Sequence, residues 1–235
     1  MSILTPEELT GRASGHVRTV SALSCRLHPA AADALLRLAQ EAAAYDIDLA
    51  VASGFRDFER QLAIWNGKFR GERPLLDRDS VPVDVRTMDE EAIVGAILEW
   101  SALPGASRHH WGSEVDVYDR AAITADQRPQ LVRSEYVRDG AFARLAAFLA
   151  DKAAQYEFFL PYDSERGGVK PEPWHLSYAP VAAAALPALT LSVLEGALID
   201  APLCGASVVQ RRLPEIYERY VCRVAPTPTP AARPS

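Results

Sequence analysis

Apolar side chains recur with a helical period in several parts of this chain. Within residues 29–45, three leucines stand among alanines, a composition that favours a long helix with one apolar stripe. Comparable patterns, each followed by a break, predict helices over 57–68, 89–101 and 141–156. Residues 189–221 predict one or two further helices around Pro202 and Pro214.

Other segments have the composition of strands. Residues 48–53 read DLAVAS and predict a buried strand that ends at Gly54. Residues 114–119 alternate valine with acidic or polar side chains, which is typical of a half-buried strand. Residues 158–160 and 175–178 are further strand candidates.

The order of these segments predicts one folded domain over residues 1–222. Its motif-bearing core covers about 30–180, and residues 189–222 form a C-terminal helical appendage. Residues 69–88 mix charges with two prolines and show no period, which indicates a long surface loop or lid. Residues 223–235 are rich in proline and predict a disordered tail.

Composition narrows the class of protein. The chain has 235 residues, 49% of them hydrophobic, and is long enough to bury one large core. With 31 acidic and 25 basic residues it carries a net charge of −6 and no long basic run, so nucleic acid is not an expected partner. No stretch is apolar and long enough to predict a membrane span.

The compartment is predicted from the N-terminus and the cysteines. Pro6, Glu7 and Glu8 interrupt the short apolar start, so it does not resemble a secretory signal. Three cysteines without CxxC spacing argue against a disulfide framework. A cytoplasmic location is expected, or a periplasmic or cell-wall location if the sequence is a mature form.

Histidines are rare here, and two segments combine them with acidic side chains. The first, residues 107–116, reads SRHHWGSEVD. If 114–118 is a strand, its alternation turns Val115 and Val117 to the core and Asp116 to the opposite, polar face. Gly112 permits a sharp bend before that strand, so His109 can fold back beside Asp116 as a second metal ligand.

The second segment, residues 170–175, reads KPEPWH. Its two prolines exclude a helix, and in an extended run with three residues per turn Glu172 and His175 return to the same side. Two imidazoles and one carboxylate with an open fourth position are the ligand set of a catalytic zinc site. The nearby Glu172 could act as the general base of amide hydrolysis.

These residues resemble the zinc D-Ala-D-Ala carboxypeptidases of the VanY and LAS type. The family patterns S-x-H-x-x-G-x-x-x-D and E-x-W-H are matched by Ser107, His109, Gly112 and Asp116, and by Glu172, Trp174 and His175. A third element, S-G-[YF]-R with a Gln five residues after the Arg, is matched by Ser53, Gly54, Phe55, Arg56 and Gln61. The motifs occur in the family's order and cover roughly half of the chain.

The resemblance implies a small α+β domain in which an antiparallel sheet carries the zinc site and packs against helices. It implies that zinc is bound by His109, Asp116 and His175. It further implies that Glu172 is the general base, that Arg56 stabilises the developing oxyanion, and that Gln61 and Ser107 contact the substrate. His110 leaves open which of two adjacent imidazoles binds the metal, and the family register favours His109.

On this basis the sequence is interpreted as a zinc metallocarboxypeptidase acting before a C-terminal D-alanine in peptidoglycan peptides or muropeptides. An L,D-carboxypeptidase, a D,D-dipeptidase or a peptidoglycan endopeptidase could use the same site. A protein of another class, a non-catalytic binding module with the zinc fold, is a further alternative. Loss of the base would mark such a module, and Glu172 is present.

Some neighbouring residues are predicted to have less direct roles. Glu114 and Tyr118 are interpreted as walls of the site or solvated positions. Trp111 and Trp174 could pack around the metal or stack on substrate. For Arg56 the alternative is a surface ion pair with a nearby acidic residue.

Overall fold

A four-stranded antiparallel sheet lies at the centre of the protein in the computed structural model, which describes residues 4–228. The strands are β1 Arg18–Val20, β2 Cys25–Leu27, β3 Leu49–Ser53, β4 Leu75–Leu76, β5 Pro82–Val83, β6 Glu114–Asp119, β7 Phe158–Phe159 and β8 His175–Tyr178. The helices are α1 Pro6–Leu9, α2 Pro29–Ala43, α3 Phe58–Phe69, α4 Glu90–Trp100, α5 Arg133–Tyr136, α6 Ala143–Lys152, α7 Ala179–Ala188, α8 Leu191–Leu198 and α9 Ala206–Ile216. The predicted α+β class is confirmed.

The central sheet has the strand order β3-β6-β8-β7, with antiparallel pairing throughout. Its apolar face carries Val115, Val117 and Leu176, all buried in the core. The other face carries buried polar side chains, because strand alternation turns Glu114 and Asp116 away from the valines. The sheet therefore separates an apolar core from a buried polar site.

The helices α2, α3 and α4 begin at polar side-chain caps and bury apolar residues against the core. The carboxylate of Asp57 accepts from the backbone N–H of Arg60 and starts α3, directly after Arg56. In α2, Leu35 and Leu38 are completely buried, as the leucine pattern predicts. The predicted helices and strands of the motif-bearing core match the observed ones closely, except that the last turn of 141–156 is a 3₁₀ helix, Ala153–Tyr156.

The segment 69–88 differs from its prediction as a long loop. Residues of β4 and β5 pair in a small hairpin, with Leu75 opposite Val83 and Leu75 buried. The carboxylate of Asp77 accepts from the backbone N–H groups of Asp79 and Val81 and stabilises the turn. The two strands are too short to show an alternation of apolar and polar residues, so the sequence pattern did not predict this hairpin.

The C-terminal helices α8 and α9 pack into the same hydrophobic core as the other helices. Leu194, Val209 and Ile216 are fully buried, and Trp65 donates to the carbonyl of Cys204. Pro214 lies inside α9 and does not end it. The chain continues from α9 into the π-helical turn Tyr217–Cys222.

Residues 223–228 of the segment predicted as a disordered tail lie within the described structure. Ala225 is buried, and its N–H donates to the carbonyl of Pro161 at 2.9 Å, so an apolar contact and a backbone bond order this part of the chain. Residues 229–235 of the predicted tail lie outside the described residues.

Within residues 4–228, no single helix has both the length and the apolar composition needed to cross a membrane. The helices Ala179–Ala188 and Leu191–Leu198 meet both conditions only when they are taken together, and they are bent by 79°.

Candidate active site

The register of the central sheet brings the first two candidate ligands together. Asp116 on β6 stands directly opposite His175 on β8. The Asp116 Oδ1 atom lies 3.1 Å from His175 Nδ1. Facing residues of neighbouring antiparallel strands are close enough for their side chains to interact directly. Strand pairing alone therefore joins two motifs that are 59 residues apart.

His109 reaches the same place from the 3₁₀ turn Arg108–Trp111. Gly112 ends this turn with φ +66°, and a Cβ there would clash with Val17 and the backbone nitrogen of His28. The Nδ1–H of His109 donates to the carbonyl of Gly54 at 2.8 Å. This bond leaves Nε2 unprotonated, 3.3 Å from Asp116 Oδ2. The bend predicted at Gly112 is confirmed.

Together His109, Asp116 and His175 form a candidate metal centre. All three side chains are buried, and one potential ligand atom from each lies within 4.8 Å of the others. Burial and the neighbouring Arg56 lower the pKa of His109, which favours the neutral imidazole that metal binding needs. The pKa of Asp116 stays well below its usual value despite burial, because His175 and Arg56 stabilise the charged carboxylate.

The electrostatics of His175 fit a bound cation. Its Nδ1 faces Asp116, and its Nε2 lies 3.1 Å from Glu114 Oε2. Although burial opposes the charge, hydrogen bonds to these two carboxylates raise the pKa of His175 to about 9. The surroundings thus favour positive charge at Nδ1, where a metal ion could replace the proton while Nε2–H stays bonded to Glu114. Two imidazoles and one carboxylate suit zinc.

Glu172 lies beside this centre, as the extended segment between Pro171 and Pro173 predicts. Its Oε2 is 3.4 Å from His175 Nδ1, and its backbone N–H donates to the carbonyl of Tyr162. Burial raises the pKa of the Glu172 carboxyl to about 7. A carboxyl group with this pKa can both accept and return a proton near neutral pH.

Arg56 is held against the same centre by three other side chains besides His109. Its Nη2 donates to Asp116 Oδ2 at 2.9 Å and to His109 Nε2 at 2.8 Å. Its Nε donates to Ser53 and its Nη1 to Gln61. The alternative of a surface ion pair for Arg56 is therefore not what the structure shows.

Gln61, which was predicted to contact the substrate, lies behind Arg56 and does not line the cavity described below. The side chain is completely buried, its Oε1 accepts from Arg56, and its Nε2 donates to the carbonyl of Ala102. Gln61 therefore positions Arg56 from behind. Ser107, by contrast, lines the cavity described below.

His110 turns away from the metal centre. Its Nδ1 bonds to the carbonyl of Arg56 at 2.7 Å, and its Nε2 accepts from the N–H of Gly105. Burial lowers the pKa of His110 to about 3, so this imidazole is neutral and both nitrogens are occupied. The structure thus selects His109, as the motif register favours.

Glu114 has a larger role than the sequence suggested. It is completely buried and accepts from Ser113, Ser177 and Arg108 in addition to its contact with His175. Burial would raise the pKa of Glu114, but Arg108 and His175 hold it at about 2. Its position on β6, two residues before Asp116 and therefore on the same face, was the signal that could have identified it.

We expect Glu114→Gln to weaken zinc binding about 10- to 100-fold, because loss of the carboxylate behind a ligating histidine typically has this effect. The measurement is a competition titration against a chromophoric chelator. Asp119→Asn is the matched control, because Asp119 is buried on the same strand but caps the backbone N–H groups of Asp48 and Ala121. Equal affinity losses in both variants would contradict a specific role for Glu114.

The metal centre opens into a cavity of about 600 Å³. Its lining includes the three candidate ligands and residues of α3, of the end of α4 and of the 74–82 hairpin region. Tyr162 and Trp174 also line it, the Tyr162 ring being 5.1 Å from the His175 ring. Trp111, in contrast, is fully buried and stacks against Arg108. The cavity is large enough for a short peptide end beside the ligand cluster.

Comparison with known proteins identifies related sequences. A family model described as VanY, D-alanyl-D-alanine carboxypeptidase, matches residues 24–181. An uncharacterized protein of Haemophilus influenzae is 35% identical over 121 residues, which is 51% of this chain and 92% of the relative. A second uncharacterized protein of that organism is 43% identical over 103 residues, 43% of this chain and 70% of the relative.

Solved structures share the fold. VanYB in complex with D-alanine-D-alanine is 21% identical, has a TM-score of 0.51, and the match covers 85% of this chain and 90% of that one. A mutant of the vancomycin resistance D,D-pentapeptidase VanY in complex with Zn(II) is 20% identical, with a TM-score of 0.50 and coverage of 82% and 88%. At these identities the similarity concerns the fold.

Proposed function

Because this chain belongs to the VanY family of D-alanyl-D-alanine carboxypeptidases, we propose that it is a zinc enzyme that hydrolyses the peptide bond before a C-terminal D-alanine in peptidoglycan-derived peptides. The observation that carries the proposal is the buried cluster of His109, Asp116 and His175 with Glu172 beside it. A buried site with three ligands, a neighbouring base and an adjoining cavity is what metal-assisted hydrolysis requires.

In this proposal each side chain has one task. Zinc, when bound, would polarise the scissile carbonyl and favour ionisation of the attacking water. Glu172 accepts the proton of that water and returns it to the leaving amine, a transfer for which its raised pKa is suited. Arg56 faces the ligand cluster and stabilises negative charge that develops on the carbonyl oxygen. Ser107 lines the cavity and is proposed to contact the substrate.

The choice of D-alanine rests on the family and on the solved relative that holds D-alanine-D-alanine. The L,D-carboxypeptidase, D,D-dipeptidase and endopeptidase alternatives would use the same ligands and base. They differ in which groups flank the bond that is cut. A panel of substrates can therefore separate them when the position of cleavage is read directly.

The experiment is incubation of the zinc-loaded protein with a muropeptide pentapeptide, a tetrapeptide, free D-alanyl-D-alanine and a cross-linked dimer, followed by mass spectrometry. Loss of one terminal alanine from the pentapeptide supports the proposal. Loss of alanine from the tetrapeptide alone would indicate an L,D-carboxypeptidase. No cleavage of any substrate would favour a non-catalytic binding module.

Replacement of Arg56 by alanine should lower kcat about 10²- to 10³-fold, because removal of one preorganised charge at an oxyanion commonly costs this much. Arg56→Lys should recover only part of the rate, since an ammonium cannot reproduce the planar fork that contacts Ser53, Gln61 and Asp116. The measurements are kcat, KM and zinc content of both variants. An unchanged kcat/KM in Arg56→Ala would remove Arg56 from the mechanism.

A further inference from the structure

Three basic side chains other than histidine line the cavity among the described residues: Arg56, Lys68 and Arg108. Two of them are already paired with carboxylates. Arg56 bonds to Asp116 at 2.9 Å, and Arg108 forms a buried ion pair with Glu114 at 3.3 Å. Their charges are thus balanced within the protein.

Lys68 differs from these two arginines. Its Nζ donates to the hydroxyl of Ser101 at 2.7 Å, and within residues 4–228 no carboxylate oxygen lies within 4 Å of it. An ammonium has three donors, so this hydrogen bond leaves donors available to a ligand. Lys68 is the cavity-lining cation whose charge has no close counter-ion in the described structure.

The position of Lys68 is set by α3. Ile64 and Lys68 are four residues apart on this helix and both line the cavity, because residues at this spacing share one helix face. Ser101 follows α4 and lies on the same wall of the cavity. The two partners thus lie on or directly after helices that pack into the core.

The partial burial of the Lys68 ammonium costs solvation free energy, which an anionic ligand could offset. Burial lowers the pKa of Lys68 to about 8, and the charge of Glu172 is the largest influence in the opposite direction. A half-buried cation without a close counter-ion is poorly solvated, and an anionic ligand group would restore the lost stabilisation.

We propose that Lys68 and Ser101 form a binding site for a carboxylate of the peptide substrate. The inference rests on the proposed function and adds the residue that recognises charge on the substrate. A peptide can present a carboxylate at its C-terminus, next to the bond that a carboxypeptidase cuts, or on an acidic side chain further from it. A charge-assisted bond from an ammonium to either carboxylate is the shared chemistry.

The test compares wild type with Lys68→Met on two pairs of peptides ending in D-alanyl-D-alanine. One pair differs only in a C-terminal carboxylate or carboxamide, and the other only in Glu or Gln before the dipeptide. Hydrogen bonds to charged groups contribute about 1.5 to 3 kcal/mol, so Lys68→Met should lower kcat/KM about 10- to 100-fold for the peptide that carries the recognised carboxylate. The loss should appear mainly in KM, and the uncharged member of that pair should be nearly unaffected.

Two further variants serve as controls. Lys68→Arg should recover part of the selectivity, because it keeps a cation at this position. Arg60→Met removes an exposed cation of the same helix that does not line the cavity, so it should leave the selectivity unchanged. Circular dichroism of each variant would confirm that it is folded.

The outcomes separate this inference from the proposed function. If Lys68→Met loses selectivity for the C-terminal carboxylate or for the Glu side chain, the site is supported. The peptide pair that shows the loss identifies which carboxylate Lys68 binds. Hydrolysis by both proteins with equal selectivities would overturn the site and leave the proposed function intact. If wild type cuts no peptide, the site is tested by calorimetric measurement of the affinity for the acid and amide forms of each peptide. Equal affinity losses for both forms in Lys68→Met would overturn the site.

Discussion

Replacing His175 with alanine should abolish both zinc binding and turnover. The side chain supplies one of three ligand atoms in a buried cluster, and its removal leaves the facing carboxylates of Asp116, Glu114 and Glu172 without the imidazole between them. Elemental analysis of the purified variant measures the metal, and release of alanine measures turnover. A His175→Ala protein that keeps its full zinc content would contradict the ligand assignment.

The two neighbouring histidines provide a matched pair for this test. His109→Ala should lose zinc as His175→Ala does, because its Nε2 faces the cluster. His110→Ala should keep zinc, although it loses bonds to Arg56 and Gly105 and should therefore unfold at a lower temperature. The reverse result would place the metal on the other imidazole.

Replacement of Glu172 by glutamine should retain zinc yet lower kcat about 10²- to 10⁴-fold, the usual contribution of a general acid–base residue. The amide has nearly the same shape but cannot accept a proton from the attacking water. Zinc content and kcat should be measured on the same preparation. A near-normal kcat would leave the proposed mechanism without a base, and a parallel loss of zinc would make Glu172 a ligand.

Much of the site could be predicted because it depends on local rules. Alternation along β6 correctly predicted that Asp116 faces away from the apolar core. The prolines around Glu172 correctly predicted that this segment is not helical. The bend at Gly112 followed from its lack of a side chain. The exact pairing of Asp116 with His175, however, depends on sheet register between distant segments, which the pattern of either strand alone does not specify.

The parts that were missed depend on tertiary contacts. The role of Glu114 becomes visible only when β8 places His175 and Ser177 beside it. Gln61 matched a motif, but packing of α3 directs its amide to Arg56 instead of the cavity. In the sequence, Lys68 resembles an ordinary solvated residue near the end of a helix. Its contact with Ser101 and its position in the cavity lining become visible only in the structure.

The most direct test is to measure zinc content and D-alanine release on one preparation, first as a zinc-loaded protein, then after removal of the metal with a chelator, and finally after zinc is restored. The proposed site predicts about one zinc per chain, loss of D-alanine release with the metal, and its return on reconstitution. Undiminished release of D-alanine by the zinc-free protein would contradict it.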